Sequence, residues 1–332
     1  MREFFVSMLV SSILILVLRE AAHRFNIVDR PGGRKLHESP TPTVGGLAMF
    51  IAVLTALFVG SGLPKEFLIL VGCGAGLVTL GILDDKHSLS VSLRMMIQVF
   101  LVTVVIVGAD GTVTHLGGGL GFDIPLGIFA IPFSVLAFVG GINAINMIDG
   151  ADGMAGKMSL VTTVGVATIF HFAGADDLLP LTWAMLGALI GFLLLNSRLF
   201  VKRAWIFMGD AGSMWLGLVL GWFMAQVTRG SVSAEPALVL WLFGIPLIDT
   251  LVVMARRMKR RKSPFVADRT HIHHVLEDAG LSVSRTVLIL TLVQLILVAI
   301  GVAYYLYAAP AVLVFWSFLS LLGAYYYWLR NT

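Results

Sequence analysis

Charged residues are scarce in this chain of 332 amino acids. Asp, Glu, Lys and Arg together make up 13% of it, whereas a soluble domain carries about 25% to keep its surface hydrated. Cysteine is nearly absent as well: Cys73 is the single one, which excludes an intrachain disulfide and a cysteine metal cluster. Hydrophobic residues supply 58% of the chain, at a mean hydropathy of +0.93. This composition excludes a soluble fold and predicts an integral membrane protein.

The hydrophobic residues are grouped into long blocks, and a block of about 18 or more is typical of a membrane-spanning helix. We therefore predict an all-α polytopic membrane protein with about eleven transmembrane helices. There is no sign of a soluble domain, a convincing repeat or a low-complexity linker, so residues 1–332 are predicted to form a single polytopic domain. The predicted spans are 4–22, 44–62, 67–83, 93–108, 126–146, 158–173, 180–196, 212–227, 236–254, 285–306 and 310–328.

The basic residues determine the predicted orientation. A net charge of +4 could indicate nucleic-acid binding, but Lys and Arg lie in short loops between apolar blocks, so we expect no nucleic-acid partner. The loops after the odd-numbered spans hold most of them, for example residues 256–262, whereas the opposite loops hold only Lys65 and Arg229. Because such residues accumulate on the cytoplasmic side, the N-terminus is predicted to be periplasmic and the C-terminus cytoplasmic. The outer loop 109–127 is predicted to form a small hairpin.

Five aspartates fall at the predicted cytoplasmic edge of the membrane. Asp84 and Asp85 end span three, Asp149 and Asp152 follow span five, and Asp210 precedes span eight. A carboxylate costs about 2.5–3.5 kcal/mol at the centre of a membrane helix and less near the interface, so these groups should be paired, hydrated or bound to a cation. Adjacent carboxylates repel each other, which makes simple pairing a poor explanation for Asp84 and Asp85. Converging carboxylates with Asn and backbone oxygens indicate a Mg²⁺ site.

Two further features favour phosphate binding. Arg94 lies just inside span four, where an unpaired guanidinium is unfavourable, and it is predicted to face the acids or a phosphate. Glycines cluster around the acids, and glycine permits close backbone approach and exposes amide N–H groups to an anion. Membrane helices also use glycine for packing, so this signal is weak alone. The glycines are Gly150, Gly153, Gly156, Gly209 and Gly212.

The last predicted cytoplasmic loop contains the sequence DRTHIHH, in which Arg269 is followed by three histidines. One interpretation is a zinc site formed by His271 and His274, but no cysteine or well-spaced acidic ligand completes it. The other is that the imidazoles and Arg269 donate hydrogen bonds to phosphate or sugar oxygens. We favour the second interpretation, because the rest of the chain indicates Mg²⁺ chemistry.

Four motifs, GILDD, NAINMIDGADGMAG, FMGDAGS and PFVADRTHIHH, follow one another in this order across the predicted spans. Together they resemble the polyprenyl-phosphate N-acetylhexosamine-1-phosphate transferases, and most closely the bacterial undecaprenyl-phosphate N-acetylglucosamine-1-phosphate transferases. The resemblance covers nearly the whole chain. It implies transfer of GlcNAc 1-phosphate from UDP-GlcNAc to undecaprenyl phosphate with release of UMP, which begins a lipid-linked glycan of the O-antigen, common-antigen or teichoic-acid type. It also implies Mg²⁺ as cofactor (or Mn²⁺ in its place), a bacterial inner-membrane location with a cytoplasmic site and, by analogy, a homodimer.

The resemblance also implies roles for single residues. Asp210 would be the principal Mg²⁺ ligand, with Asn146 in or near its coordination shell. Asp84 and Asp85 would lie near the pyrophosphate and the lipid phosphate, and one of them is the candidate base. The other catalytic acids would be Asp149 and Asp152, and the substrate-binding residues would be Phe207 beside the uracil ring, Arg94 at a phosphate, Asn143, and Arg269, His271, His273 and His274 at the sugar nucleotide.

The chain departs from the family pattern at two places. Lys86 follows the aspartate pair where some relatives soon have another acid, which weakens any role that needs a third carboxylate. The HIHH sequence differs from the triple-histidine loop of the phospho-MurNAc-pentapeptide translocases, which argues against that substrate. Two alternatives stay open: another UDP-N-acetylhexosamine donor, or a secondary transporter. The transporter is less favoured, because the acids cluster at one face and no inverted repeat is evident.

Overall fold

The computed structural model describes residues 1–25, 27–29, 40–60, 62, 64–201, 203–261, 263 and 270–331. Most of the described chain is helical, and a short two-stranded antiparallel ribbon pairs Val28–Asp29 with Thr41–Pro42. The helices of the described residues are α1 (Arg2–Phe25), α2 (Gly45–Val59), α3 (Lys65–His87), α4 (Val91–Gly108), α5 (Ala130–Ile148), α6 (Met154–Phe172), α7 (Leu179–Asn196), α8 (Gly209–Val227), α9 (Leu238–Lys259), α10 (Ile272–Asp278), α11 (Val283–Leu306) and α12 (Ala311–Asn331).

Each of the eleven predicted spans coincides with one of these helices. The short α10, which matches no predicted span, lies between α9 and α11 in the chain. Eight helices of the described residues are long and apolar enough to cross a membrane: α1, α3, α4, α5, α7, α9, α11 and α12. The apolar helix α2 has only 15 residues. The all-α polytopic class is therefore confirmed, whereas the count of eleven spans and the orientation of the termini stay predictions.

Helix α8 lies at the centre of the bundle and is buried along nearly its whole length. It can be packed so tightly because glycines of the two neighbouring helices α2 and α3 face it. A Cβ atom added to Gly46 would lie 2.2 Å from the backbone nitrogen of Gly212, and one added to Gly81 would lie 2.2 Å from that of Ala211. Backbones that approach this closely are typical of membrane helices joined by small residues. These contacts fix the N-terminal end of α8 between α2 and α3.

Helix α9 is broken in its middle. Gly244 has φ of 39° and ψ of −116°, and Pro246 follows two residues later. The break leaves backbone groups without intrahelical partners, and two polar side chains from neighbouring helices satisfy them. Gln294 of α11 accepts a hydrogen bond from the N–H of Ile245 (2.8 Å) and donates to the carbonyl of Leu242 (3.1 Å), to which Thr162 of α6 also donates (3.0 Å). Irregular backbone at membrane depth requires such partners.

The loop of residues 109–127 forms the predicted hairpin. Its two arms are joined by hydrogen bonds from Leu116 N–H to the Ile124 carbonyl (2.9 Å) and from Leu126 N–H to the Thr114 carbonyl (2.9 Å). The carboxylate of Glu235, in the segment between α8 and α9, accepts a hydrogen bond from the N–H of Gly118 (3.1 Å). The hairpin is therefore attached to the end of the bundle opposite the aspartate motifs.

Candidate active site

A cavity of about 650 Å³ opens where the aspartate-bearing ends of the helices meet. It brings together nine of the predicted site residues from five separate segments. Acids outnumber Lys and Arg among its described lining residues, so its surface carries a negative charge that suits a cation. The predicted site residues that line it are Asp84, Asp85, Arg94, Asn146, Asp149, Asp152, Phe207, Asp210 and His274.

Asp84 is buried and fully engaged by neighbours on its own side of the cavity. Its Oδ2 accepts a hydrogen bond from Nη1 of Arg94 at 2.6 Å, and its Oδ1 accepts one from the N–H of Leu89 at 2.8 Å. The same Arg94 Nη1 lies 4.0 Å from Oδ2 of Asp210. A charge-assisted pair of this length fixes the guanidinium. Asp84 therefore holds Arg94 beside Asp210, at the edge of the cavity.

Asp85 has a different task from its neighbour. Its two carboxylate oxygens accept a hydrogen bond from the backbone N–H of Asp210, whose nitrogen lies 3.2 Å from Oδ2 and 3.3 Å from Oδ1. Asp210 is the second residue of α8. The first turn of a helix has N–H groups without intrahelical partners and a partial positive charge. Gly209 starts α8 at a φ of +71°, and a Cβ there would lie 2.6 Å from Oδ2 of Asp85. Glycine is thus required for this close approach.

Asp210 and Asn146 face each other across the cavity floor. The amide Nδ2 of Asn146 donates to Oδ1 of Asp210 (2.7 Å) and to Oγ of Ser213 (2.9 Å), one turn further along α8. Asp210 therefore has one oxygen at an amide and the other near Arg94. Both bonds use the amide nitrogen of Asn146, so its amide oxygen and the carboxylate of Asp210 are the groups here of the types that Mg²⁺ prefers.

The loop after α5 carries the remaining acids. Burial first, and then the nearby carboxylates of Asp210 and Asp152, together raise the pKa of Asp149 to about 7. Asp152 accepts a hydrogen bond from Nε of Arg198 at 2.6 Å. Arg198 lines the cavity together with Asn196, whose amide donates to the carbonyl of Ile206 (2.7 Å). Arg198 was not among the predicted site residues, although the polar residues at the end of α7 were the available signal.

Phe207 lines the cavity from a segment that is tied down by its backbone. Its N–H donates to the carbonyl of Pro42 at 2.7 Å, and its own carbonyl accepts from the N–H of Gly45 at 3.1 Å. The chain before α8 is thereby fixed to the start of α2. An aromatic ring held in this way can stack on a planar ligand.

The histidines of the HIHH sequence are separated by their environments. His274 lines the cavity beside Glu277, its Nδ1 lying 3.9 Å from that carboxylate. His273 is buried against the loop after α5: a Cβ on Gly150 would lie 2.5 Å from its Nε2. His271 is buried and does not line the cavity, because its Nδ1 is 2.7 Å from Oδ2 of Asp249. The structure places this ring against Asp249 and not among the cavity-lining residues, and its contact with substrate stays a prediction. Arg269 lies outside the described residues.

The predicted substrate-binding residue Asn143 contacts protein groups in the structure, and its contact with substrate stays a prediction. It lies one helical turn below Asn146, facing α4, and its Nδ2 is 2.9 Å from Oε1 of Gln98 and 2.8 Å from the carbonyl of Val139. It does not line the cavity. Its position three residues before Asn146 puts it on the same face of α5, one turn deeper in the bundle. Its contact with Gln98 joins α5 to the helix that carries Arg94.

Comparison with known proteins places the chain in a family. Residues 67–228 match the model of glycosyl transferase family 4. Relatives named undecaprenyl-phosphate α-N-acetylglucosaminyl 1-phosphate transferase share about a third of its residues over most of their length. The one from Yersinia pestis is 33% identical over 302 residues, which is 90% of this chain and 83% of the relative.

Two other bacterial relatives with the same name agree. The one from Escherichia coli K12 is 33% identical over 297 residues, which cover 89% of this chain and 81% of the relative. The one from Haemophilus influenzae is 33% identical over 331 residues, 98% and 93% of the two chains. The chain therefore belongs to glycosyl transferase family 4.

Proposed function

We propose that this protein transfers N-acetylglucosamine 1-phosphate from UDP-GlcNAc to undecaprenyl phosphate and releases UMP. The observation that carries the proposal is the convergence of four distant motifs on one polar cavity, in a chain that is a third identical to transferases of that name. Such a cavity at the end of a helical bundle suits a reaction in which one substrate is dissolved in the bilayer and the other in water.

The reaction replaces one phosphorus–oxygen bond by another. An oxygen of undecaprenyl phosphate attacks the β-phosphorus of the nucleotide sugar, the bond from that phosphorus to the bridging oxygen breaks, and its electron pair leaves with UMP. A phosphate monoester is largely ionised near pH 7, because its second pKa is about 6. No base is then required, and Asp84, held by Arg94 and Leu89, acts by positioning the guanidinium. Positioning and charge stabilisation supply most of the acceleration in phosphoryl transfer.

The donor set of the cavity fits Mg²⁺. Asp210 and Asn146 would hold the ion through oxygen atoms, and no group of three His, Cys, Asp or Glu side chains in the described residues forms a complete metal site. This suits a magnesium ion that shares its coordination with water and substrate phosphates. When bound, Mg²⁺ supplies positive charge to the pyrophosphate. Arg94 and Arg198, each oriented by an aspartate, line the cavity together with Lys86 and supply protein cations to the same phosphates.

The cavity is proposed to face the cytoplasm of a bacterial cell at its inner membrane. The support is the concentration of Lys and Arg in the loops at this end of the bundle. A thiol placed in the hairpin tests this orientation: Asp123→Cys should react with a membrane-impermeant reagent added outside intact spheroplasts, because position 123 is exposed. The native Cys73 is buried and should not react. Labelling only after lysis would reverse the orientation. A homodimer stays a prediction.

The transfer reaction is tested with purified protein in detergent, undecaprenyl phosphate, Mg²⁺ and a panel of UDP-N-acetylhexosamines, by measuring UMP. We expect UMP with UDP-GlcNAc, none after EDTA, and a loss of about a hundredfold or more in Asp210→Asn. Asp177→Asn is the matched control, since it removes an exposed acid between α6 and α7. If another UDP-N-acetylhexosamine is used instead, the donor assignment changes and the reaction stands. If a folded protein releases UMP from none, the proposal fails.

A further inference from the structure

A buried polar cluster lies behind the cavity, outside the proposed reaction. Asp249, five residues after the break in α9, is 1% exposed and accepts three hydrogen bonds. They come from Nδ1 of His271 (2.7 Å), the N–H of Ile272 (3.0 Å) and the hydroxyl of Tyr325 on α12 (2.7 Å). A buried carboxylate with three donors is well satisfied. The cluster therefore joins α9, the start of α10 and the last helix.

The ring of His271 has no nitrogen left for a substrate. Nη2 of Arg257 lies 3.4 Å from its Nε2, and donation from this guanidinium requires that Nε2 be the acceptor. The proton is then on Nδ1, which donates to Asp249. Both ring nitrogens are thus used inside the protein.

Helix α10 depends on this cluster for its position. It has seven residues, and helices shorter than about 12 residues are marginal alone in water. No side chain of its own caps its N-terminus. Instead Asp249 accepts the first N–H of α10, and the same carboxylate fixes the preceding His271. The opposite side of this helix presents His274 and Glu277 to the cavity.

We propose that Asp249 and Tyr325 are positioning residues that hold α10 against the cavity and thereby set the affinity for the nucleotide sugar. His271 acts as the link between them and α10 and does not contact substrate. The final helix α12 thus becomes part of the active-site architecture through one tyrosine hydroxyl. The kinetic part of this inference rests on the proposed function, whereas the structural part does not.

The first experiment compares Tyr325→Phe with Tyr304→Phe. The control removes another tyrosine hydroxyl that bonds to α12, at Ser317 (3.2 Å), without touching α10. We expect Tyr325→Phe to raise the KM for UDP-GlcNAc about fivefold, the value of one hydrogen bond, with kcat changed less than about twofold. Hydrogen exchange in α10 should quicken by a similar factor. Tyr304→Phe should change neither.

The second experiment separates the two nitrogens of His271. The amide of Asn places a donor near the Nδ1 position and that of Gln places one near Nε2. We expect His271→Asn to retain more affinity for UDP-GlcNAc than His271→Gln, because the bond to Asp249 is kept. A histidine that contacts substrate through Nε2 would give the opposite order and overturn the proposal.

The remaining outcomes are equally decisive. Equal α10 exchange in Tyr325→Phe and Tyr304→Phe overturns the anchoring role, and faster exchange with an unchanged KM overturns the effect on affinity. If the wild-type protein releases UMP from no donor, the proposed function fails. The exchange comparison then decides alone whether Asp249 and Tyr325 hold α10.

Discussion

The Asp84–Arg94 pair predicts a specific departure from additivity. If Asp84 acts by orienting Arg94, removing either side chain should remove the same function, and removing both should cost little more than removing one. The variants are Asp84→Asn, Arg94→Gln and the double variant. An Asp84 that served as an independent base would instead contribute its own loss on top of that of Arg94.

The size of the coupling follows from the geometry. The two atoms are 2.6 Å apart, with side-chain exposures of 5% for Asp84 and 26% for Arg94. A hydrogen bond between charged groups contributes about 1.5–3 kcal/mol, and the partly exposed guanidinium is screened by water, which lowers this to about 1–2 kcal/mol. That energy corresponds to about five- to thirtyfold in kcat/KM. Freed from Asp84, Arg94 would meet Asp210 as the next carboxylate, at 4.0 Å.

The assay is a double-mutant cycle on kcat/KM for UMP release, with thermal unfolding of each variant in the same detergent. The matched control cycle combines Arg94→Gln with Asp152→Asn, because Asp152 pairs with Arg198 and not with Arg94. The control losses should add to within about 0.5 kcal/mol. Additive losses for Asp84 and Arg94 as well would refute the argument that the two act as one unit.

Three further predictions concern packing, the helix break and pH. Gly81→Ala should destabilise by about 1–3 kcal/mol and reduce activity, because its Cβ meets the backbone of α8, whereas Gly72→Ala on the same helix faces open space and should unfold like the wild type by thermal scanning. Gln294→Leu should lower stability by about 2–4 kcal/mol, since it removes a hydrogen-bond partner from both the Ile245 N–H and the Leu242 carbonyl. The control Gln226→Leu loses one hydrogen bond to Asp110 at the protein surface and should cost less than about 1.5 kcal/mol. Equal losses in the two variants would contradict this account. The raised pKa of Asp149 means that the folded state keeps the proton of this carboxyl up to about pH 7. The protonated group therefore stabilises the fold fully below its ordinary pKa of 3.8, and this stabilisation is lost as the pH rises to about 7. The stability of Asp149→Asn relative to the wild type should increase from pH 5 to pH 7, and a constant difference would contradict the prediction.

Much of the architecture could be predicted because membrane helices leave a strong signal. Long apolar blocks have one explanation, and each of the eleven predicted spans coincides with a helix, although only eight helices of the described residues are long and apolar enough to cross a membrane. The cavity residues Asp84, Asp149 and Asp210 were recognisable because acids at the ends of apolar blocks are unfavourable without a purpose. Their division of labour was not recognisable. Whether Asp84 or Asp85 faces Arg94 depends on the rotation of α3 against α4 and α8, which adjacent residues in a sequence do not reveal.

The contacts that the sequence did not predict share a physical cause: the two partners are far apart in the chain. Asp249 bonds to groups 22 and 76 residues later, and no periodicity connects them. The available signal was Asp249 itself, an acid inside the apolar block of α9, because a carboxylate there is unfavourable unless it is paired. The histidine motif predicted that His271 binds substrate. In the structure the buried His271 instead provides the hydrogen bond that the buried carboxylate of Asp249 requires. A residue of a binding motif can thus serve to hold a binding segment in place. The direction of its hydrogen bonds, towards the protein or towards the cavity, distinguishes that role from direct contact with substrate.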